Sequence, residues 1–552
     1  MIFRGRLVRS SWLVFIMLLC VVLSLTIPLP AAFVRPVFSN LVLLSYFPFE
    51  ILFLLASLLW VWILARGERT SAFLATILIS SLYFLTWESK IPGGIVGGWD
   101  NVIPDHWGML VNGGFNSLVN TGFEPVIFTM IAPLTNLFGY TGGLLCFSLV
   151  RPIAIGAFSY LIALNLTGNP RISSLATVMS FLADPFFITP GDSIYAALPN
   201  GIIYFLVGTY VLLREKDRGG LRAEALLVVM VVVTTLEYPL ASVLLVAEAI
   251  IVQFSMKKGS KYGLNSLVTF SLVFLAWNVF SGSAALLIQL WVSNLVQGVS
   301  TSSAGYHSSE LFTHLFSFFG NQPGPLLPFS VLWLSLTFVL GSFKWLWTLL
   351  RERNRNLIAM FSLPMYVVAI PLMLTQGGFA EYRVFFYLGL FLSITLLSTR
   401  KLKLPYLKFL AFAMAITALP TLASTLPQVG FNVSQYSTNY AAGSFLHYSP
   451  KPAEILTYVG VMATSYVLPA EFIYAGNLHY SNGTQYVSLV GSFSPGICGA
   501  SSCQFATISP MYFASVNYQF GSEAAATLNH VLRVKYAAFS EVYNNGVTSV
   551  FW

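Results

Sequence analysis

The sequence predicts an α-helical polytopic membrane protein with about thirteen transmembrane helices and a small extracytoplasmic C-terminal domain of α/β or mainly β structure. Three observations predict it. Hydrophobic residues make up 56% of the 552 and charged residues 9%, against roughly a quarter charged in an ordinary soluble domain, so water cannot solvate most of the folded surface. The apolar residues fall in runs of roughly 17–25, the length that carries an internally hydrogen-bonded helix across hydrocarbon, and not in the alternating segments of about ten that a barrel strand shows. The cations behind the net charge of +8 sit in short clusters between those runs. That is a pattern of topology signals and not of a nucleic-acid surface, so no nucleic-acid partner is expected.

Taken in order, the apolar runs place spans at about 12–33, 41–65, 72–88, 143–166, 171–189, 199–213, 223–238, 239–256, 263–281, 325–347, 357–375, 384–399 and 408–424. The pair that meets at Glu237-Tyr238-Pro239 looks too short for two independent crossings. Every second connection is basic: Arg4/Arg6/Arg9, Arg66/Arg69, Arg171, Arg214/Lys216/Arg218/Arg222, Lys257/Lys258/Lys261, Arg351/Arg353/Arg355 and Arg400/Lys401/Lys403/Lys408. By the positive-inside rule these face the cytoplasm, which puts the N-terminus inside and the C-terminus outside a plasma membrane. The first run is read as an uncleaved anchor, because it is longer than a signal-peptide core.

This divides the chain into a transmembrane domain, 1–424, and an extracytoplasmic domain, 425–552, with external loops at about 89–142 and 282–324. The tail alternates short β-branched and aromatic runs with Gly, Asn and Ser breaks, as in Glu454-Ile-Leu-Thr-Tyr and the closing Val-Tyr-Asn-Asn-Gly-Val-Thr-Ser-Val-Phe-Trp, which reads as strands joined by turns. Cys20 and Cys146 fall in spans, where a thiol behaves as a small hydrophobe. Cys498 and Cys503 bracket a Gly-Ala-Ser-Ser loop on the oxidising side and are expected to form a disulfide. The sequons at Asn432 and Asn482 face that side too, and the one at Asn165 faces the cytoplasm.

Polar chemistry collects outside. All six histidines fall there in this topology, with Asp100, Asp105, Glu124, Asp184, Asp192 and Glu381. A charge near hydrocarbon is costly and persists when paired, hydrated or used. Read singly, each is more simply a solvated loop residue, and Asp184 before Pro185 a helix-end turn. Their joint concentration at the span mouths raises the functional reading. The stretch Gly97-Gly-Trp-Asp-Asn-Val-Ile-Pro-Asp-His-Trp puts Asp100, Asp105 and His106 just beyond a span and before an amphipathic surface segment. A second segment, Phe123-Glu124-Pro125 to Leu137-Phe138-Gly139, is expected to lie on the surface as well. Carboxylates over the mouth of a bundle suit a lipid-linked substrate. Glu237 reads equally as support for a broken helix and as a cavity lining.

The order of these features resembles the GT-C superfamily, the membrane glycosyltransferases that use polyprenyl-phosphate-linked sugars, among them protein O-mannosyltransferases and lipid A aminoarabinose transferases. The residues that carry the resemblance are Pro104-Asp105-His106 with Gly113-Gly114-Phe115, then Phe123-Glu124-Pro125 to Leu137-Phe138-Gly139, Leu149-Val150-Arg151, Asp192 before a span ending in Arg214, and Glu381-Tyr382-Arg383. The closing Tyr-Asn-Asn-Gly turn is similar to archaeal relatives. Many relatives carry a second acid where this chain has His106, and the Trp-Trp-Asp motif of oligosaccharyltransferases is absent.

The resemblance implies a GT-C-like fold, a polyprenyl (dolichyl) phosphate donor in the lipid, and an extracytoplasmic protein or glycolipid acceptor. Inverting transfer needs a base for the acceptor hydroxyl, with Asp105 the candidate and Asp100 its competitor. The leaving phosphate needs a cation or metal. Arg383 and His307 are the candidates to bind it. His106, Glu124 and Asp192 are supporting or acceptor-side residues, and a divalent metal, if used, would take Glu124, His106 and His307. Two other readings stand beside this one. A transporter or lipid flippase would need a continuous polar path through the bundle, and a catalytically silent relative would act in cell-surface assembly through its tail.

Overall fold

In the computed structural model the described residues are 2–26, 47–88, 125–183, 197–215, 221–255, 262–280, 333, 336–352, 357–376, 381–398 and 404–417, with strand segments between 454 and 551. The helices among them are α1 (Ile2–Thr26), α2 (Phe47–Arg66), α3 (Arg69–Glu88), α4 (Pro125–Thr167), α5 (Pro170–Leu182), α6 (Ala197–Glu215), α7 (Leu221–Glu237), α8 (Pro239–Ser255), α9 (Tyr262–Phe280), α10 (Gly341–Glu352, entered through a π turn at Leu336–Leu340), α11 (Leu357–Gln376) and α12 (Glu381–Leu397). A further helix, α13 (Leu404–Thr417), follows. A described helix overlaps each expected span. Two stretches among the described residues, Val150–Thr167 and Gly263–Phe280, are long and apolar enough to cross a membrane, and shorter apolar stretches accompany them. Large apolar side chains face outward: Val279 and Phe280 of α9 are 73% and 70% exposed, and Phe254, Phe343, Leu350 and Phe409 are comparably bare. A surface of this kind is stable in hydrocarbon and not in water.

Two expectations change. The segment expected to lie apart on the surface is continuous with the following span in α4, a helix of 43 residues that includes Pro133 and Pro152. Gly139, Gly142 and Gly143 do not break it, since each costs about 1 kcal/mol relative to alanine, less than an interrupted ladder costs in an apolar medium. Secondly, α1 begins at Ile2, so the backbone at Arg4, Arg6 and Arg9 is helical, as the high helix propensity of arginine favours.

The corners are built from local chemistry. Gly67, at φ 71°, closes α2 and Gly168, at φ 66°, closes α4, the left-handed turn that glycine adopts without a Cβ penalty. Asn169 caps α5, its side chain accepting from the Arg171 and Ile172 amides at 3.0 and 3.5 Å, with Pro170 following. Arg171 reaches back to the carbonyls of Leu64 and Ala65, donating at 3.2 Å to each, and a Cβ on Gly67 would come within 2.6 Å of its guanidinium. Gly67→Ala is therefore expected to cost about 1–3 kcal/mol through strain and displacement of that cap, read as a lower unfolding midpoint of the purified chain in detergent.

Cross-helix bonds fix the helix directions. Arg66 donates to Ser10 at 3.1 Å, Tyr160 to the Arg69 carbonyl at 3.2 Å, and Lys344 to the Leu396 carbonyl at 2.9 Å. The Gly263 amide donates to Gln253 at 2.7 Å, and Asn265 bonds Glu224. These contacts gather Arg66, Arg69, Arg171, Lys344 and the starts of α7 and α9 at one end of the bundle. Deeper in, Trp60 and Thr76 both meet the Ser174 hydroxyl, at 2.9 and 2.6 Å, which ties α2, α3 and α5 together.

In the tail, β1 (Glu454–Thr457), β2 (Phe472–Tyr474), β5 (Cys503–Ile508), β6 (Glu541–Asn544) and β7 (Ser549–Phe551) form a five-stranded sheet in the order β2-β1-β5-β7-β6, and β3 (Asn477–Ser481) and β4 (Thr484–Ser488) form a hairpin. β1 runs parallel to both β2 and β5, with Ile455 opposite Phe472 and Phe505. Asn544, the first residue of the closing Asn-Asn-Gly sequence, ends β6 and pairs with Ser549 of the antiparallel β7.

Candidate functional site

The expected site falls largely outside the described residues. Asp100, Asp105, His106, Glu124, Asp192, His307 and Cys498 lie outside them, and Arg383 and Cys503 are described as backbone, in the first turn of α12 and at the start of β5. Among the described residues no three His, Cys, Asp or Glu side chains gather to hold a metal ion. What the described residues do show is the end of the bundle from which these segments leave.

α7 and α8 form a tight hairpin that turns at Tyr238. Residues 231 and 242 would stand about 16 Å apart along a straight helix. Instead the Ser242 hydroxyl reaches the Val231 carbonyl at 3.4 Å and the Thr235 hydroxyl at 2.8 Å. Pro239 forces this, because it cannot donate to a helical carbonyl and disfavours helix at the residue before it. The hairpin packs on α6, with which α8 runs parallel. A Cβ on Gly201 would stand 2.7 Å from the Tyr238 Cβ, and one on Gly208 would stand 2.7 Å from the Leu245 methyls. The tip thus sits at the end of the bundle opposite Glu224 and Gln253.

Three ionisable side chains, Arg151 of α4, Tyr204 of α6 and Glu237 of α7, lie on helices that pack together here. Glu237 is fully buried and Arg151 is 2% exposed. Tyr204, one turn from Gly201, lies in the electrostatic field of both, and all three have partners. Their depth follows from helix rise: Arg151 is about 14 Å along α4 from Tyr160, Tyr204 about 15 Å along α6 from Arg214, and Glu237 about 20 Å along α7 from Glu224. Pro152, next to Arg151, removes a helical donor from the Ser148 carbonyl. The neighbouring Phe205 meets Tyr387 of α12 edge to face, ring centroids 4.9 Å apart, and Tyr387 is one helical turn beyond Arg383. Arg383 is thereby placed, as backbone, at the same end as the Arg151, Tyr204 and Glu237 group.

Further along the α6 and α8 interface Thr209 donates to the fully buried Glu248, whose second carboxylate oxygen has no hydrogen-bond partner among the described residues. Phe205, Leu244 and Leu245 are buried between the two polar levels. The described part of this interface therefore carries no continuous polar path. Sequence reading noted Arg151 and Glu237 without joining them. The available signal was that an arginine and a glutamate each interrupt an apolar run. What was missing was the adjacency of α4, α6 and α7, which no local pattern encodes.

No protein-family model matches the chain, and no curated protein matches it. In shape it is similar to ArnT from Cupriavidus metallidurans bound to undecaprenyl phosphate, at 10% identity and a TM-score of 0.49 over 87% of this chain and 97% of that one. It is also similar to the oligosaccharyltransferase of Archaeoglobus fulgidus, at 13% identity and 0.47 over 82% and 72%, and to AglB of the same organism with an inhibitory peptide and a dolichol-phosphate, at 12% and 0.45 over 87% and 74%. These neighbours are GT-C glycosyltransferases. At such scores the likeness decides neither activity nor substrate, which rest on the chain's own residues.

Proposed function

We propose that the chain is a membrane glycosyltransferase that moves a sugar from a polyprenyl (dolichyl) phosphate to an extracytoplasmic protein or glycolipid acceptor. In this reading residues 1–424 cross the plasma membrane about thirteen times with the basic end in the cytoplasm, and residues 425–552 form an extracytoplasmic domain. The supporting observation is what lies at the end opposite the basic clusters. There lie the buried Arg151 and Glu237 and the half-buried Tyr204, on the helices next to the Phe205 contact with Tyr387 of α12. The chain leaves α3 and enters α6 at that same end, through the segments that carry Asp100, Asp105 and Asp192.

The chemistry follows from the residue types. Asp105, or Asp100 in its place, takes the proton of the acceptor hydroxyl as its oxygen bonds the anomeric carbon, and the bond to the phosphate oxygen breaks with its electron pair. Arg383 and His307 offset the charge that develops on the departing phosphate, with His106, Glu124 and Asp192 on the acceptor side. A divalent ion on Glu124, His106 and His307 would supply further positive charge there. Membranes containing the chain are expected to transfer label from a polyprenyl-phosphate sugar to an endogenous acceptor. No transfer from any donor would favour the silent relative instead.

A further inference from the structure

The polar layer that joins α2, α3 and α5 uses up its own donors. Thr76 gives its hydroxyl proton to the Ala72 carbonyl at 2.6 Å, so the Ser174 hydroxyl donates to Thr76 at 2.6 Å and itself accepts from the Trp60 indole at 2.9 Å. One turn further along each helix, away from the basic end, stand Ser57 on α2, Ser80 on α3 and Val178 on α5, and these line a cavity of about 30 Å³. Phe53, Ile79, Phe181 and Met414 supply apolar wall, and every lining residue except Leu182 is buried.

The two serines in the wall differ. Ser80 donates to the Thr76 carbonyl at 2.7 Å, the bond a helical serine makes to its own preceding turn. Ser57 makes no such bond, and its buried hydroxyl has no hydrogen-bond partner among the described residues. It lies roughly 14 Å along α2 from Arg66, at a depth where hydrocarbon offers no substitute. A cavity needs about 10–15 Å³ and at least two polar neighbours to hold a water molecule. This one has the volume, and the Ser57 hydroxyl and the lone pairs of Ser80 are the two neighbours.

We propose that the cavity is a hydration site, in which one ordered water accepts the Ser57 hydroxyl proton and donates to the Ser80 oxygen, pinning α2 to α3 beside Met414 and Ala415 of α13. The water extends the polar layer of Trp60, Thr76 and Ser174 by one turn and takes no part in sugar transfer.

The test is a double-mutant cycle on the unfolding midpoint of the purified full chain in detergent. Ser57→Ala takes one partner from the water and is expected to lower the midpoint by about 2 °C. Ser80→Ala is expected to lower it by a similar amount, and the double variant by little more than either single one, because all three lose the same bridge. A raised or unchanged midpoint in Ser57→Ala, the response to relief of an unmet buried hydroxyl, overturns the hydration site, as do losses that add in the double variant. An experimental density map of the native chain, fine enough to show ordered water, decides the matter without any variant. A single peak within hydrogen-bond reach of both hydroxyls is expected, and a dry cavity or an elongated apolar density overturns the site.

Discussion

Asp105→Asn is expected to lower sugar transfer by roughly 10²- to 10⁴-fold, the range over which a positioned general base acts. The substitution keeps the size and hydrogen-bonding reach of the side chain and removes the capacity to accept the acceptor's proton. The loss should therefore appear in kcat with little change in KM for the donor, and the variant should accumulate in membranes at the native level. The measurement is transfer of label from polyprenyl-phosphate sugars by membranes with matched amounts of native and variant chain. Undiminished transfer would remove Asp105 from the mechanism and pass its role to Asp100, whose own Asn variant then becomes inactive.

The second large effect concerns the buried charges. We expect Arg151 to serve as the counter-charge of the fully buried Glu237, so Arg151→Met alone should destabilise the bundle by about 3–5 kcal/mol. Glu237→Gln alone should cost less, since an amide does not need a counter-charge. The double variant, Arg151→Met with Glu237→Gln, removes both charges together and should recover much of the loss, as apolar or neutral replacements of buried pairs generally do. Unfolding midpoints of the three variants in detergent check this. A double variant as unstable as Arg151→Met would show that the two side chains do not share an interaction.

Much of the helical frame was legible because each cue is local. Asn169-Pro170 announces α5 through the cap it makes with its own next turn, and Pro239 announces a break through the donor it lacks. The basic connections could be ordered because charge alternation is read along the chain. Where sequence reading failed, the competing terms were of similar size. Gly139 and the Gly142-Gly143 pair look like a stop, yet the continuous ladder of α4 outweighs them. The candidate site was legible as a set of residue types and not as a constellation. The α7–α8 tip and α6 come together at Gly201, whose missing side chain lets Tyr238 approach. A glycine in an apolar run carries no mark of which partner it admits. Asp105, Glu124 and Arg383 were singled out by charge near a membrane end, a property of one residue at a time, whereas a shared site would be set by which spans are neighbours.

The cap on α2 has a consequence for how the chain is made. In the proposed topology Arg171 belongs to the cation pattern that sets orientation during insertion, and in the folded bundle it also terminates a helix laid down earlier in synthesis. Topogenesis and tertiary closure would thus share one side chain. Exchanging Arg171 for a neutral residue should act twice, first on the fraction of nascent chains threaded in the right sense and again on how firmly the finished protein holds.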